Sequence, residues 1–150
     1  MNIKFSNEQY KTLVDVFYIA DWVLHAHHSS KEKPPETKAF RKLEQKIYKS
    51  GYKFGFKDLF ETIKNNDGTK YCPNRKVEEE NHEFIEKFEV DTFWSELLDR
   101  LSDRDVLNST TQKEREEMDI NKYWKLKAIF EEKYDAEFND CGIERLHIKK

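Results

Sequence analysis

Apolar residues recur along most of this chain at the three- and four-residue spacing of helices that bury one face. Ser6 and Gln9 have the spacing of a helix capping box. After them Tyr10, Leu13, Val14, Phe17, Ala20 and Leu24 predict a first helix over 7–28. Val16, Ile19, Trp22 and Val23 widen its apolar surface beyond one stripe, the mark of a centrally placed helix.

Pro34-Pro35 opens a second helix that runs to Ser50, with Ala39, Phe40, Leu43 and Ile47 inward and Gly51 as its stop. Leu59, Phe60 and Ile63 predict a short third helix over 57–64, followed by a turn at Asn66-Asp67-Gly68. A fourth helix is expected over 75–89. Asp91 or Thr92 caps a fifth, carrying Phe93, Trp94, Leu97, Leu98 and Leu101. Thr111 and Glu114 form a second capping-box spacing and open a long sixth helix to Asn139, ended by Gly142.

Only the ends alternate. Ile3 and Phe5, and again Leu146 and Ile148, are separated by polar residues. They suggest short extended segments pairing as a two-stranded ribbon. The expected architecture is therefore mainly α: one domain over 1–150, a compact bundle of about six helices with a central N-terminal helix.

Composition supports that reading. Charged residues make up 38% and hydrophobic residues 37% of the 150 positions, a balance that leans towards disorder, but eleven Phe, seven Tyr and three Trp supply a core. Four Gly and three Pro leave few helix breakers. No run approaches the roughly 20 apolar residues of a membrane span, and the N-terminus has no apolar signal core. Cys72 and Cys141 lack a CxxC partner, so a soluble protein of a reducing cytoplasm is expected. The abundance of Lys, Asn, Ile and Phe suggests a bacterial or phage source.

No glycine-rich phosphate loop, GxSxG elbow, HExxH or EF-hand spacing occurs, and no cofactor is called for. Three groups of polar residues remain as candidates. Asp21, His25 and His28 lie on one side of the first helix, and Glu79-x-x-His82 has the spacing used in di-iron bundles. Together they are a candidate metal set, against which stands the ordinary role of histidines near a helix C-terminus. Asp21, Lys127 and Glu131 fall on apolar helix faces and form a candidate buried polar cluster or ligand site, in which Asp21 is expected to pair with Lys127 or with a Tyr or Trp.

The third group is electrostatic. From Lys31 to Lys57 nine basic residues outweigh three acidic ones, and Lys38, Arg41, Lys42, Lys46 and Lys49 form a basic face on the second helix. From Glu78 to Asp119 fifteen acidic residues outweigh five basic ones. The leading expectation is a non-catalytic interaction or regulatory module with a protein partner or a second copy of itself. Nucleic-acid binding through the basic face is an alternative that the pI near 6.0 disfavours. A metal-dependent helical-bundle enzyme is the third reading.

Overall fold

A computed structural model describes residues 3–28, 34–66 and 68–147. The chain is mainly α, with five α-helices and one two-stranded antiparallel sheet among the described residues. In order these are α1 (Asn7–His25), α2 (Lys38–Lys53), β1 (Phe60–Asn65), β2 (Gly68–Pro73), α3 (Arg75–Ser109), α4 (Gln112–Glu116) and α5 (Ile120–Cys141). Short 3-10 turns at Pro35–Thr37 and Lys57–Leu59 lead into α2 and β1. The chain divides into two compact units, 1–87 and 88–150, with the boundary inside α3. No described helix is long and apolar enough to cross a membrane.

Local signals fix several element ends as expected. Ser6 and Gln9 close a full capping box on α1, and Thr111 and Glu114 do the same for α4. Gly142, at φ 56°, ends α5 where an L side chain would be strained.

Four expectations are corrected. The segment expected as a third helix is β1, paired to β2 in a register from Phe60↔Pro73 to Asn65↔Gly68. Phe60, Thr62, Ile63, Thr69 and Tyr71 are strand-favouring types, and a helix of about eight residues is marginal on its own. The fourth and fifth helices are one helix, α3: no Gly or Pro lies between Arg75 and Ser109 to interrupt it. The sixth is two, because Asp119 accepts hydrogen bonds from the backbone N–H groups of Asn121 and Lys122 and starts α5 afresh.

The terminal ribbon is the fourth. Ile3, Phe5 and Leu146 are exposed and in no strand, and Ile148 lies outside the described residues. The ribbon of this protein is internal instead. The first helix is also less enclosed than its composition suggests, since Val16, Val23 and Leu24 are exposed.

Unit 1 is built on Val14, Tyr48, Leu59, Phe60 and Val77, all buried. The inward line of α2 is Glu44, Tyr48 and Gly51, whereas Leu43 is exposed. Gly51 is thus not a stop but a point of close approach. The Tyr10 ring stacks on Phe56 at 4.6 Å, its hydroxyl donates to the Ile47 carbonyl at 2.6 Å, and a Cβ on Gly51 would lie 2.2 Å from that hydroxyl. The Asn81 amide, buried, donates to Asp15 on α1 and to the Val77 carbonyl, both at 2.9 Å. Lys11 and Glu80 add an ion pair between α1 and α3 at 2.9 Å.

Unit 2 relies on aromatic and ionic contacts between α3 and α5. Trp94 and Phe138 pack at 5.5 Å between ring centroids. Tyr134 donates to Asp105 at 2.5 Å and accepts from Arg104 at 2.8 Å.

Substituting Gly51→Ala raises helix propensity but forces the Tyr10 ring from its place. We expect a net loss of about 1–3 kcal/mol in urea unfolding, as for overpacked cores. Combining it with Tyr10→Leu should cost less than the sum of the two single changes. Strict additivity would refute the proposed clash.

Candidate anion-binding cleft

The basic helix is fixed beside the hairpin by one side chain. The Gln45 amide donates from Nε2 to the Tyr71 carbonyl at 2.8 Å and accepts at Oε1 from the Tyr71 N–H at 3.0 Å. An amide offers the same donor and acceptor as a peptide group, so Gln45 satisfies the outward N–H and C=O of Tyr71 as a neighbouring strand would. Tyr52 of α2 packs on the Tyr71 ring at 5.2 Å and supports the same junction.

This junction gives a cleft of ≈ 540 Å³ between α2 and the hairpin. Lys42, Lys46 and Lys49 line it from α2, and Asn65, Gly68, Thr69, Lys70 and Tyr71 from the hairpin. At ~100° per residue, Lys38, Lys42, Lys46, Lys49 and Lys53 fall within an arc of about 80° on the side of α2 opposite Glu44 and Gly51. All five are exposed, as is Lys70. None of the six forms an ion pair among the described residues, whereas Arg75 and Arg100 of α3 are matched within their own helix, with Glu79 at 2.7 Å and with Glu96 at 2.8 Å.

Four of the five residues expected on the basic face of α2 therefore present their charge to solvent. Arg41 does not. Its guanidinium turns back to donate to the Pro34 carbonyl at 3.0 Å and to the Thr37 hydroxyl. Lys53 and Lys70 are the members that sequence reading missed. Lys53 follows from the spacing once α2 is known to continue past Gly51; Lys70 required the strand pairing.

Behind the Gln45 junction a smaller cavity of ≈ 180 Å³ is richer in acids, with Asp21, Glu44, Glu78, Tyr48 and Cys72 among its lining residues, and Lys70 borders both cavities. Burial pushes the Tyr48 phenol and the Cys72 thiol above their ordinary values; the Lys70 ammonium opposes the rise at Cys72, and Glu44 and Asp21 add to both shifts.

The candidate metal residues are not brought together. His25 is buried, with Nδ1 donating to Asp21 at 2.6 Å and Nε2 sharing a hydrogen bond of 2.8 Å with the Thr37 hydroxyl. Both ring nitrogens are thus engaged in tying α1 to the turn before α2. His28 is exposed, Glu79 pairs with Arg75, and His82 lies 4.0 Å from Glu86. Among the described residues no group of three or more His, Cys, Asp or Glu side chains comes together to hold a metal.

Asp21 and Lys127 each have a partner within their own unit. Asp21 takes His25, one turn away on its own helix. Lys127, 2% exposed, takes Asp99 at 2.5 Å and Asp103 at 2.6 Å, two carboxylates one turn apart on α3. Tyr123 also donates to Asp103 at 2.5 Å, and the Lys127 ammonium lies 5.3 Å from the Trp124 ring centroid. Burial works against the charged amine, but the hydrogen bonds to Asp103 and Asp99 hold it above the ordinary lysine range. The bonds from Lys127 and Tyr123 hold the Asp103 carboxyl below its own. Glu131 is partly buried and enters no ion pair among the described residues.

Two outcomes follow from these contacts. Gln45→Ala should speed amide hydrogen exchange at Tyr71 and cost about 1–2 kcal/mol, the worth of a pair of partly buried hydrogen bonds; unchanged exchange would show that Gln45 does not hold the hairpin. Lys127→Met should cost about 1–2 kcal/mol at pH 7, with the half-exposed carboxylates screening the pair below the value of a fully buried one. Asp103 has a depressed value, so its contribution is complete above about pH 4 and fades as the pH falls below that. Lys127 has a raised one, so its contribution is complete below about pH 10 and is lost as the pH rises through the folded value. In urea melts the deficit should be constant from about pH 5 to 8 and shrink progressively as the pH falls below about 4; a deficit that does not shrink on acidification excludes the ion pair as its source.

Comparison with known proteins finds no matching family model, no matching curated protein and no matching solved structure.

Proposed function

We propose that this chain is a binding module, not a catalyst, and that it engages a polyanionic partner in the cleft between α2 and the hairpin. The observation that carries the reading is the stripe of α2: Lys42, Lys46 and Lys49 line one concavity and form no ion pair among the described residues, with Lys70 at its edge, where it also borders the acidic cavity. Cations held without counter-charges in a concave site concentrate anions there. The cleft volume falls within the ~300–1,000 Å³ of ordinary ligand sites, although it is open and suits a partner that passes through it.

Amines, amides and a hydroxyl line the cleft, groups that bind anions through charge and hydrogen bonds. The one buried histidine–carboxylate pair has both imidazole nitrogens occupied, which favours a structural role for it over proton transfer. The net charge of −3 does not oppose the reading, because the acidic residues concentrate in the stretch from Glu78 to Asp119 while the lysines concentrate on α2.

Retention on immobilised heparin at low salt tests this directly. The wild-type chain should bind and elute with rising salt. Lys42→Glu with Lys46→Glu, both exposed positions, should flow through while keeping the wild-type circular dichroism and melting temperature. Equal retention of the two proteins would remove the cleft as the binding surface.

A further inference from the structure

The lysine stripe is longer than the cleft. It runs about 22 Å from Lys38 to Lys53 at the usual rise of ~1.5 Å per residue, while the cleft uses only its middle. A compact anion would be satisfied by Lys42, Lys46, Lys49 and Lys70. Lys38 and Lys53 continue the same face beyond both ends, which suits a linear polyanion.

At one end of the stripe stands an aromatic ring with no core to enter. Phe54 follows Lys53 directly, at the C-terminus of α2, and is 81% exposed. A cationic groove that tracks a backbone, followed in the chain by an exposed aromatic ring, offers the two kinds of group by which proteins hold single-stranded nucleic acid. The lysines meet phosphates and the ring stacks a base.

We propose that the lysine stripe of α2, its cleft with the hairpin and Phe54 form a binding track for single-stranded nucleic acid. The proposal rests on the polyanion reading above and narrows it. A duplex fits less well, because reading it would require α2 to enter a major groove about 12 Å wide, and the hairpin tied along α2 by Gln45 obstructs that approach. Recognition is by charge and stacking, not by sequence. The cations of the track are all lysines, point charges without the planar fork that reads guanine, and the nearby arginine, Arg41, is turned inward. Asn65 and Thr69 on the hairpin wall offer neutral hydrogen bonds to sugar and phosphate oxygens.

Fluorescence anisotropy of the intact chain with labelled 20-mers of dT and rU, a 20-base-pair duplex and labelled heparin tests both levels. The single strands should bind more tightly than the duplex, with a log–log salt slope near −3.5 to −4 if five or six phosphates are neutralised at about −0.7 each. Lys38→Glu with Lys53→Glu should flatten that slope by about 1.4. Phe54→Ala should weaken the strands about five- to a hundredfold, the range of one lost base stack, and leave heparin binding unchanged. Duplex binding as tight as that of the strands, or strand binding indifferent to Phe54→Ala, overturns the track while heparin binding upholds the polyanion reading. Absence of binding to strand, duplex and heparin alike overturns both.

Discussion

The pairing of the Gln45 amide with the backbone of Tyr71 is the contact on which the cleft depends. A two-stranded hairpin is marginal by itself in water, and β1 and β2 have no third strand among the described residues. Gln45 supplies the missing neighbour with a single side chain, satisfying both outward groups of Tyr71 at once. Because Gln45 sits between the inward line of Glu44 and Tyr48 and the outward stripe of Lys42, Lys46 and Lys49, the same contact fixes how α2 is rotated. It turns Glu44 inward and the lysines of α2 outward, with Lys70 bordering the cavities on both sides. Without it the lysines would be a solvated helix face; with it, Lys70 joins them across a concavity.

Charge is handled differently in the two units. In unit 2 a buried amine, Lys127, is held by two carboxylates placed one turn apart, with Tyr123 sharing the load on Asp103. Along α3, Arg75, Arg100 and their neighbours find acids at i,i+4 and are neutralised locally. The α2 stripe has no such acids, since the one glutamate among its lysines, Glu44, is buried on the far side of the helix. The contrast is one of placement more than of composition.

Much of this was legible from residue spacing. The capping boxes at Ser6 and Thr111, the stop at Gly142 and the basic face of α2 are local features, decided by residues within a turn of each other. What failed was non-local or competitive. Leu59, Phe60 and Ile63 fit a helical spacing and a strand equally, and only the pairing of Phe60 with Pro73 and of Ile63 with Lys70 decides between them. Asp91 is an adequate cap but loses to an uninterrupted run of helix formers, whereas Asp119 wins because Met118 precedes it outside any helix. Gly51 resembled a terminus because glycine often ends helices, yet its role here is to admit Tyr10, a residue 41 positions earlier. Lys127 was correctly singled out as a charge on an apolar face. Its partners could not be read, because Asp99 and Asp103 look like any exposed acids until α5 lies beside them.

The lysine stripe also bears on the stability of the helix that carries it. Lys38, Lys42 and Lys46 succeed one another at i,i+4, as do Lys49 and Lys53, and like charges at that spacing each weaken a helix by a few tenths of a kcal/mol, about 0.2–0.5. In the free protein α2 therefore holds repulsion that nothing on its own surface relieves. An anion that settles on the stripe removes that repulsion as it binds, so occupancy and rigidity of α2 are thermodynamically linked. Gln45, on the same helix, passes that linkage to the hairpin: a partner that steadies α2 steadies the second wall of its own binding site.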